Sequence, residues 1–388
     1  MLSCNLKPGR EKPVRSGHPW IFNGAIGSIK GQGVPGELCH IFSSKGEFLG
    51  TGYHNSHSAI SIRVLTREKE FTAADIADRI SRAVAARGSI LNNQTDSCRL
   101  VNSEGDFLPG LIVDKYGSGL TIQILTAGME MFRSDILNIL EKSCSPSFIY
   151  ERSDTDARKR EGLSESRGLL KGEIPEQLIL KENGLLFRAD TAEGQKTGFF
   201  FDQRINRYLL STYSSGRYVC DCFSYSGAFT VYALSGGASL VHAVDISKNA
   251  SALGKENVSL NGFEKPRTNF IVADVFKYLR DNNECYDLIV LDPPKFAKHP
   301  GEVPRAARGY KDINLLAFKK LPTNGILFTF SCSNAIDPNL FRQIVFSAAA
   351  DSGRQVQLLH VLSAGPDHPT NIAHKEGEYL KGLVLKIF

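Results

Sequence analysis

Two short segments carry groups that can do covalent chemistry. Asp292-Pro293-Pro294-Lys295 closes the apolar run Leu288-Ile289-Val290-Leu291, and Ser331-Cys332-Ser333 closes Gly325-Ile326-Leu327-Phe328-Thr329-Phe330. Each run reads as a buried strand of an α/β sheet. Open α/β sheets hold their ligands beyond the carboxyl ends of the strands. A carboxylate from one strand and a thiol from the next suit covalent chemistry on an electrophilic ring. A lone cysteine at a strand end is otherwise a packed, inert thiol. The neighbouring Asp-Pro-Pro favours the nucleophile.

The elements that position this pair begin near residue 218, where strand and helix patterns alternate. Tyr218-Val219-Cys220 leads to Gly227 and a helix from Ala228. Leu240 to Asp245 is a second strand, followed by a helix through Asn257. Phe270 to Asp274 is a third strand, and the two reactive segments end the fourth and fifth. Val356 to Leu359 and Gly382 to Ile387 follow without a helical pattern between them. This rhythm predicts a doubly wound parallel sheet with an antiparallel edge.

The first turn, Asp221 to Gly227, holds one glycine, so the dinucleotide GxGxxG fingerprint is absent. Asp245, roughly 20 residues on, stands where a carboxylate meets a ribose diol. With Asp274, three acids end three successive strands. The ordered set resembles the S-adenosylmethionine pocket of class I methyltransferases. That resemblance places Asp245 on the ribose, Asp274 on the adenine amine and Asp221 near the methionine end. Phe223 and Ser224 would line the pocket, with Tyr225 and Gly227 in the same loop. Taken singly, each acid is equally a helix N-cap.

Asp292-Pro293-Pro294 resembles the base-handling motif of nucleobase methyltransferases. Two prolines stiffen the loop and aim Asp292 at a planar heterocycle. Enzymes of exocyclic amines carry an aromatic fourth residue, whereas here it is Lys295, with Phe296 beyond. Cys332 supplies the alternative. Thiolate addition at C6 of a pyrimidine makes C5 an enamine-like carbon that takes a methyl group, and loss of the C5 proton with thiolate elimination completes turnover. Asp292 would bond N3 and stabilise the adduct. A free thiol has a pKa of about 8.5, so Cys332 needs help from Lys295 or the following helix N-terminus.

The chain has 388 residues, enough for two or three domains. No stretch approaches the roughly 18 apolar residues of a membrane span, and Met1 to Arg15 is polar, so a cytoplasmic location and no membrane partner are expected. Eight cysteines without a CxxC pair argue against a zinc knuckle or a disulfide framework. Cys220 and Cys222 read as small buried side chains. The net charge of +5 permits nucleic-acid binding without requiring it. Lys295, Lys298, Arg305, Arg308 and Lys311 would form a positive rim beside the reactive pair, suited to a phosphate-bearing substrate.

Residues 1–70 alternate short β-prone runs with glycine turns and predict a small β-barrel. Residues 71–185 predict an α+β domain, with helices over Ala73 to Ile90 and Met129 to Glu141, a hairpin through Lys115 to Gly119, and a charged loop from Arg152 to Gly172. Residues 186–388 hold the Rossmann-like α/β domain.

Longer motifs make the resemblance specific. They are Lys7 to Lys12, His18-Pro19-Trp20-Ile21-Phe22, Tyr150 to Asp154, Lys196 to Arg204, Cys222 to Gly227, Asp292 to Phe296, Arg308 to Asn314, Phe330 to Ser333, Asp367-His368-Pro369 and Tyr379 to Gly382. In this order they resemble the S-adenosylmethionine-dependent ribosomal RNA large-subunit methyltransferase I family, which makes 5-methylcytosine in 23S rRNA. The resemblance implies an N-terminal PUA RNA-binding domain, a central α+β domain and a C-terminal class I methyltransferase domain. It implies Cys332 as nucleophile, and Phe201, Asp202 and Arg204 in the cofactor pocket. The expected partner is 23S rRNA, with a homodimer also admitted. Two other readings remain open: methylation of uracil C5 or a guanine nitrogen, and an RNA-binding assembly factor with a non-catalytic methyltransferase fold.

Overall fold

The computed structural model describes residues 2–189, 197–263, 267–297 and 299–388. Lys196 of the 196–204 motif and Lys298 of the basic rim lie outside the described residues. The chain divides into two compact units. One comprises residues 1–180, 189–201 and 366–377, and the other residues 181–188, 202–365 and 378–388.

The first unit opens with a six-stranded sheet: β1 (Leu2–Leu6), β2 (Trp20–Phe22), β3 (Ile26–Lys30), β4 (Leu38–Phe42), β5 (Phe48–His54) and β6 (Ile60–Thr66), in the order β2-β6-β5-β4-β1-β3. Alternate residues of β1 and β4 point inward, so Leu2, Cys4, Leu6, Cys39 and Ile41 share a core with Ile21 and Ile62. A second sheet holds β7 (Cys98–Asn102), β8 (Leu111–Tyr116), β9 (Gly119–Ile124), β10 (Phe148–Arg152) and β11 (Arg167–Gly172), in the order β11-β10-β9-β8-β7. Its core takes Ile76 and Ile80 from the helix Ala73–Ala86 and Leu140 from the helix Arg133–Cys144.

The charged run from Arg152 to Gly172, expected to be a loop, instead forms the helix Asp156–Arg160 and the edge strand β11. The buried charges of this unit are paired, as in Arg99 Nε–Asp114 Oδ1 at 2.8 Å. Asp367 of the Asp-His-Pro motif accepts from the Arg99 amide at 3.3 Å, and its carbonyl accepts from Arg87 Nη2 at 3.1 Å. Trp20 Nε1 donates to Glu104 Oε1 at 2.8 Å. These motif residues knit the unit together.

β12 (Leu178–Glu182) and β13 (Leu185–Ala189) form a two-stranded sheet. The second unit is built on a seven-stranded sheet: β14 (Tyr218–Cys222), β15 (Leu240–Asp245), β16 (Thr268–Val272), β17 (Leu288–Leu291), β18 (Ile326–Ser331), β19 (Val356–Leu362) and β20 (Lys381–Ile387). Its order is β16-β15-β14-β17-β18-β20-β19. β14 to β18 run parallel, and β20 pairs antiparallel with both β18 and β19. Every residue of β17 and β18 is buried, as a doubly covered parallel sheet requires.

The chain moves outward from β14 through β15 to β16, then returns to β17 on the other side. The order therefore reverses between β14 and β17, and a crevice opens there at the strands' carboxyl ends. Close helix packing tightens the same end: a Cβ on Gly227 would lie 3.1 Å from Gly254 Cα, and one on Gly254 would lie 2.4 Å from the Phe270 ring. Among the described residues no helix is long and apolar enough to cross a membrane, and no cluster of His, Cys, Asp or Glu could hold a metal ion.

Candidate active site

β14 and β17 deliver two acids to the crevice. Asp221 is buried within β14, and its Oδ2 accepts from Thr230 Oγ1 at 2.7 Å. Its Oδ1 has no hydrogen-bond partner, nor has the buried Ser224 Oγ. Burial pushes the Asp221 carboxyl up to about 7, against the Thr230 hydrogen bond, and the Asp292 charge pushes the same way. Two orphaned polar atoms beside a switch-point crevice fit a polar, cationic ligand end.

The β14 loop is held in an unusual backbone path. Phe223, Tyr225 and Gly227 all have positive φ, at 61°, 45° and 68°. For the two non-glycine residues this costs of order 1 kcal/mol or more each. The loop is pinned by Ser224 N to Val244 O at 3.1 Å and by Tyr225 N to Asp245 Oδ2 at 2.9 Å. Asp245 Oδ1 also accepts from Ser247 N at 2.8 Å. Asp245 therefore ties two loops and keeps further lone pairs for a ligand. Asp274 caps the helix Val275–Asp281, its Oδ1 accepting from Lys277 N at 2.8 Å. The N-cap alternative thus describes Asp274, whose other oxygen is not used by that cap. Gly227 enters through helix packing.

The residues after Phe201 have structural partners. Phe201 packs in the first unit, its ring centroid 5.2 Å from that of Tyr116. In the second unit, Asp202 Oδ2 accepts from Tyr379 OH at 2.6 Å, and Arg204 Nη1 lies 3.6 Å from Glu182 Oε2. Glu182, fully buried, also accepts from Arg207 Nε at 2.9 Å and Tyr232 OH at 3.0 Å.

The Asp-Pro-Pro loop and Cys332 adjoin at the ends of β17 and β18. Asp292 N lies 3.5 Å from Cys222 O, joining the β17 loop to β14. Cys332 Sγ lies 3.8 Å from Pro293 O, so the thiol adjoins the Asp-Pro-Pro loop. The turn carrying the thiol is fixed by Tyr310, which is fully buried. Ser331 Oγ donates to Tyr310 OH at 3.0 Å, and Tyr310 OH and Ser333 Oγ lie 3.1 Å apart. Ala297 N lies 3.3 Å from Ser333 Oγ, which ties the β17 loop to the same turn.

A row of rings runs beside it: Phe223–Phe276 at 6.4 Å, Phe276–Phe296 at 6.0 Å and Phe296–Tyr310 at 4.6 Å between centroids. Lys295, Arg305 and Phe296 line an open groove of about 410 Å³ there. Lys295 is exposed, its Nζ 6.0 Å from the Tyr379 ring centroid. Lys311 of the expected basic rim pairs with Asp351 at 2.7 Å.

Sequence reasoning missed two groups. Tyr310 sits in a motif without an assigned role. Lys381 lies one residue before the expected strand start at Gly382, but it is the first residue of β20 and faces Ser331 across the sheet.

The Asp221 shift has a testable sign. A carboxyl raised on folding is bound more tightly by its proton in the folded state. Its stabilisation is complete below the unfolded pKa near 4, is lost as pH rises towards 7, and stays lost above. Without cofactor, wild type should therefore lose on the order of 2–4 kcal/mol more than Asp221→Asn between pH 4 and 7. Parallel thermal-melting profiles for the two proteins would refute the shift.

A switch-point crevice with acids on successive strand ends, no dinucleotide glycine motif and a β-rich unit before it defines an S-adenosylmethionine-dependent methyltransferase with an attached RNA-binding type domain. A family profile described as S-adenosylmethionine-dependent methyltransferase matches residues 157–377, and one described as a PUA-like domain matches residues 5–67. The chain is 44% identical over 389 residues to ribosomal RNA large subunit methyltransferase I of Aeromonas salmonicida, covering 98% of both chains. It is 42% identical over 395 residues to the protein of that name from Shewanella amazonensis (strain ATCC BAA-1098 / SB2B), covering 100% of both. The fold is shared with a SAM-dependent methyltransferase from Streptococcus mutans at 22% identity and TM-score 0.86. It is also shared with a methyltransferase crystallised with SAH at 23% identity and TM-score 0.87; each match covers 100% of both chains. The chain belongs to the ribosomal RNA large subunit methyltransferase I family, and its cofactor is S-adenosylmethionine.

Proposed function

We propose that this protein methylates C5 of a cytosine in 23S rRNA, through a covalent adduct between Cys332 and C6 of the base. The observation that carries the reading is the 3.8 Å approach of Cys332 Sγ to Pro293 O, which puts a thiol against the Asp-Pro-Pro loop. When bound, S-adenosylmethionine supplies an electrophilic methyl group on a sulfonium. Cys332 Sγ forms a bond to C6, and the electron pair of the C5–C6 double bond moves to C5. C5 then takes the methyl group as its bond to the sulfonium breaks, leaving S-adenosylhomocysteine; a base removes the C5 proton, and the returning pair expels the thiolate. Asp292, as the carboxylic acid, donates its proton towards N3 and so takes up the negative charge of the adduct. Lys295 lies at the mouth of the same site.

On the cofactor side, Asp245 takes the ribose diol, Asp274 the adenine amine and Asp221 the methionine end. Phe223, Ser224 and Tyr225 line the pocket, with Asp202 and Arg204 completing it. The orphaned Asp221 Oδ1 and Ser224 Oγ support this placement. The domain limits are 1–70, 71–185 and 186–388. The first domain docks RNA, and the Lys295 and Arg305 groove meets phosphate. A cytosine within paired RNA must be flipped out, at a cost of a few kcal/mol.

Nucleoside mass spectrometry of 23S rRNA tests the reading. A deletion strain should lack one 5-methylcytosine that the wild-type gene restores and Cys332→Ala does not. Loss of a methylated uracil or guanine instead would assign a different base.

A further inference from the structure

Lys295, the cation expected beside Cys332, is exposed and faces the Tyr379 ring. A second lysine is hydrogen-bonded to the turn that carries the thiol. We propose that Lys381 is the cation that holds Cys332 as a thiolate, a positioning residue that acts through the sulfur. This rests on the reading of Cys332 as the nucleophile.

The geometry comes from strand register. Lys381 opens β20 and pairs with Ser331, the residue before Cys332. Its side chain is buried, and Nζ donates to the carbonyl of Ser333, the residue after Cys332, at 2.7 Å. The ammonium is thereby fastened to both sides of the thiol-bearing turn. Hydrogen bonds of Tyr310 to Ser331 and Ser333 brace the same turn.

Among the described residues the hydrogen-bond partner of this buried ammonium is a carbonyl, and a buried charge so placed favours a counter-charge nearby. Burial lowers Lys381 to about 8, and the Cys332 charge acts against that lowering. The other charged groups that face it are Lys295 from the β17 loop, which lowers it further, and Asp337, which raises it. Asp337 is engaged as N-cap of the helix Pro338–Ser352, accepting from Leu340 N at 2.9 Å. Tyr310 faces the thiol from the helix Val303–Lys320; burial raises its hydroxyl, against the hydrogen bonds from Ser331 and Ser333, and the thiol charge adds to the rise. The thiolate is therefore the natural partner of this ammonium, and the stabilisation is mutual.

The test is the pH profile of Cys332 alkylation by iodoacetamide, read peptide by peptide by mass spectrometry in the full-length protein without RNA. Wild type should show a midpoint well below the usual thiol value of about 8.5. Lys381→Met should raise the midpoint by about one unit or more, slowing alkylation at pH 7 roughly tenfold. Lys381→Arg should keep the wild-type midpoint, and Lys381→Gln, a donor without charge, should behave like Lys381→Met. A wild-type midpoint near 8.5, or a Lys381→Met midpoint equal to wild type, overturns the proposal, and the first holds even if every variant misfolds. Because no RNA is present, such a failure leaves the nucleophile itself to be judged separately by Cys332→Ala.

Discussion

Cys332→Ala should lower methyl transfer to rRNA by on the order of 10⁴-fold or more while cofactor affinity stays within about twofold of wild type. The size of the effect follows from the chemistry. C5 of cytosine is a poor nucleophile, and the adduct at C6 is what makes it reactive. Without the thiol, Asp292 can still hold the base and the crevice can still hold the cofactor, but no electron pair reaches C5. Cys332 is half-buried and small, so its truncation leaves little cavity and the fold should survive. A second readout uses RNA with 5-fluorocytosine at the target. There the C5 fluorine cannot leave as a proton, so wild type should form an adduct that survives denaturing electrophoresis and Cys332→Ala should form none. Transfer by Cys332→Ala within tenfold of wild type would remove the covalent mechanism.

The second large effect is expected at Asp245. Its carboxylate spends two of about four lone-pair positions on Tyr225 N and Ser247 N. The remaining two suit the adjacent hydroxyls of a ribose. Hydrogen bonds to a charged group contribute about 1.5–3 kcal/mol each, so Asp245→Ala should weaken S-adenosylmethionine binding by roughly 100-fold or more. Part of that loss arises indirectly, because the alanine also releases the left-handed loop at Phe223 and Tyr225. Asp245→Asn keeps one carbonyl oxygen and should fall between the two. Calorimetry showing wild-type affinity for Asp245→Ala would take this residue out of the pocket.

The placement of Asp292 and Cys332 at two neighbouring strand ends is legible in the sequence because both groups interrupt strong signals. β17 and β18 are continuous apolar runs, and a polar residue after such a run has only the strand end to occupy. The alternation from β14 onward is legible for the same reason, and so is the antiparallel edge, since no α-helix separates β19 from β20. β11 is not legible. It is an edge strand with most residues exposed, so neither face imposes an apolar period on its charged sequence.

Lys381 is hidden by distance along the chain. Its meaning lies in pairing with Ser331, fifty positions away, and sequence spacing carries no register between strands so far apart. Tyr310 is hidden likewise, because a helical tyrosine shows no sign of the two serines it joins. The acid at Asp221 is legible as a candidate ligand. Its raised carboxyl is not, since burial depends on strands that arrive later.

Residues 381–387 form an interior strand, with β18 on one side and β19 on the other. β19 joins the sheet only through them. A nascent chain that has emerged as far as residue 380 holds β18 with an open edge and β19 with nothing to join. It also lacks the lysine beside the thiol. The sheet is therefore completed only once β20 takes its place between β18 and β19. A prematurely terminated product would expose the edge of Ile326–Ser331, an invitation to proteolysis or aggregation.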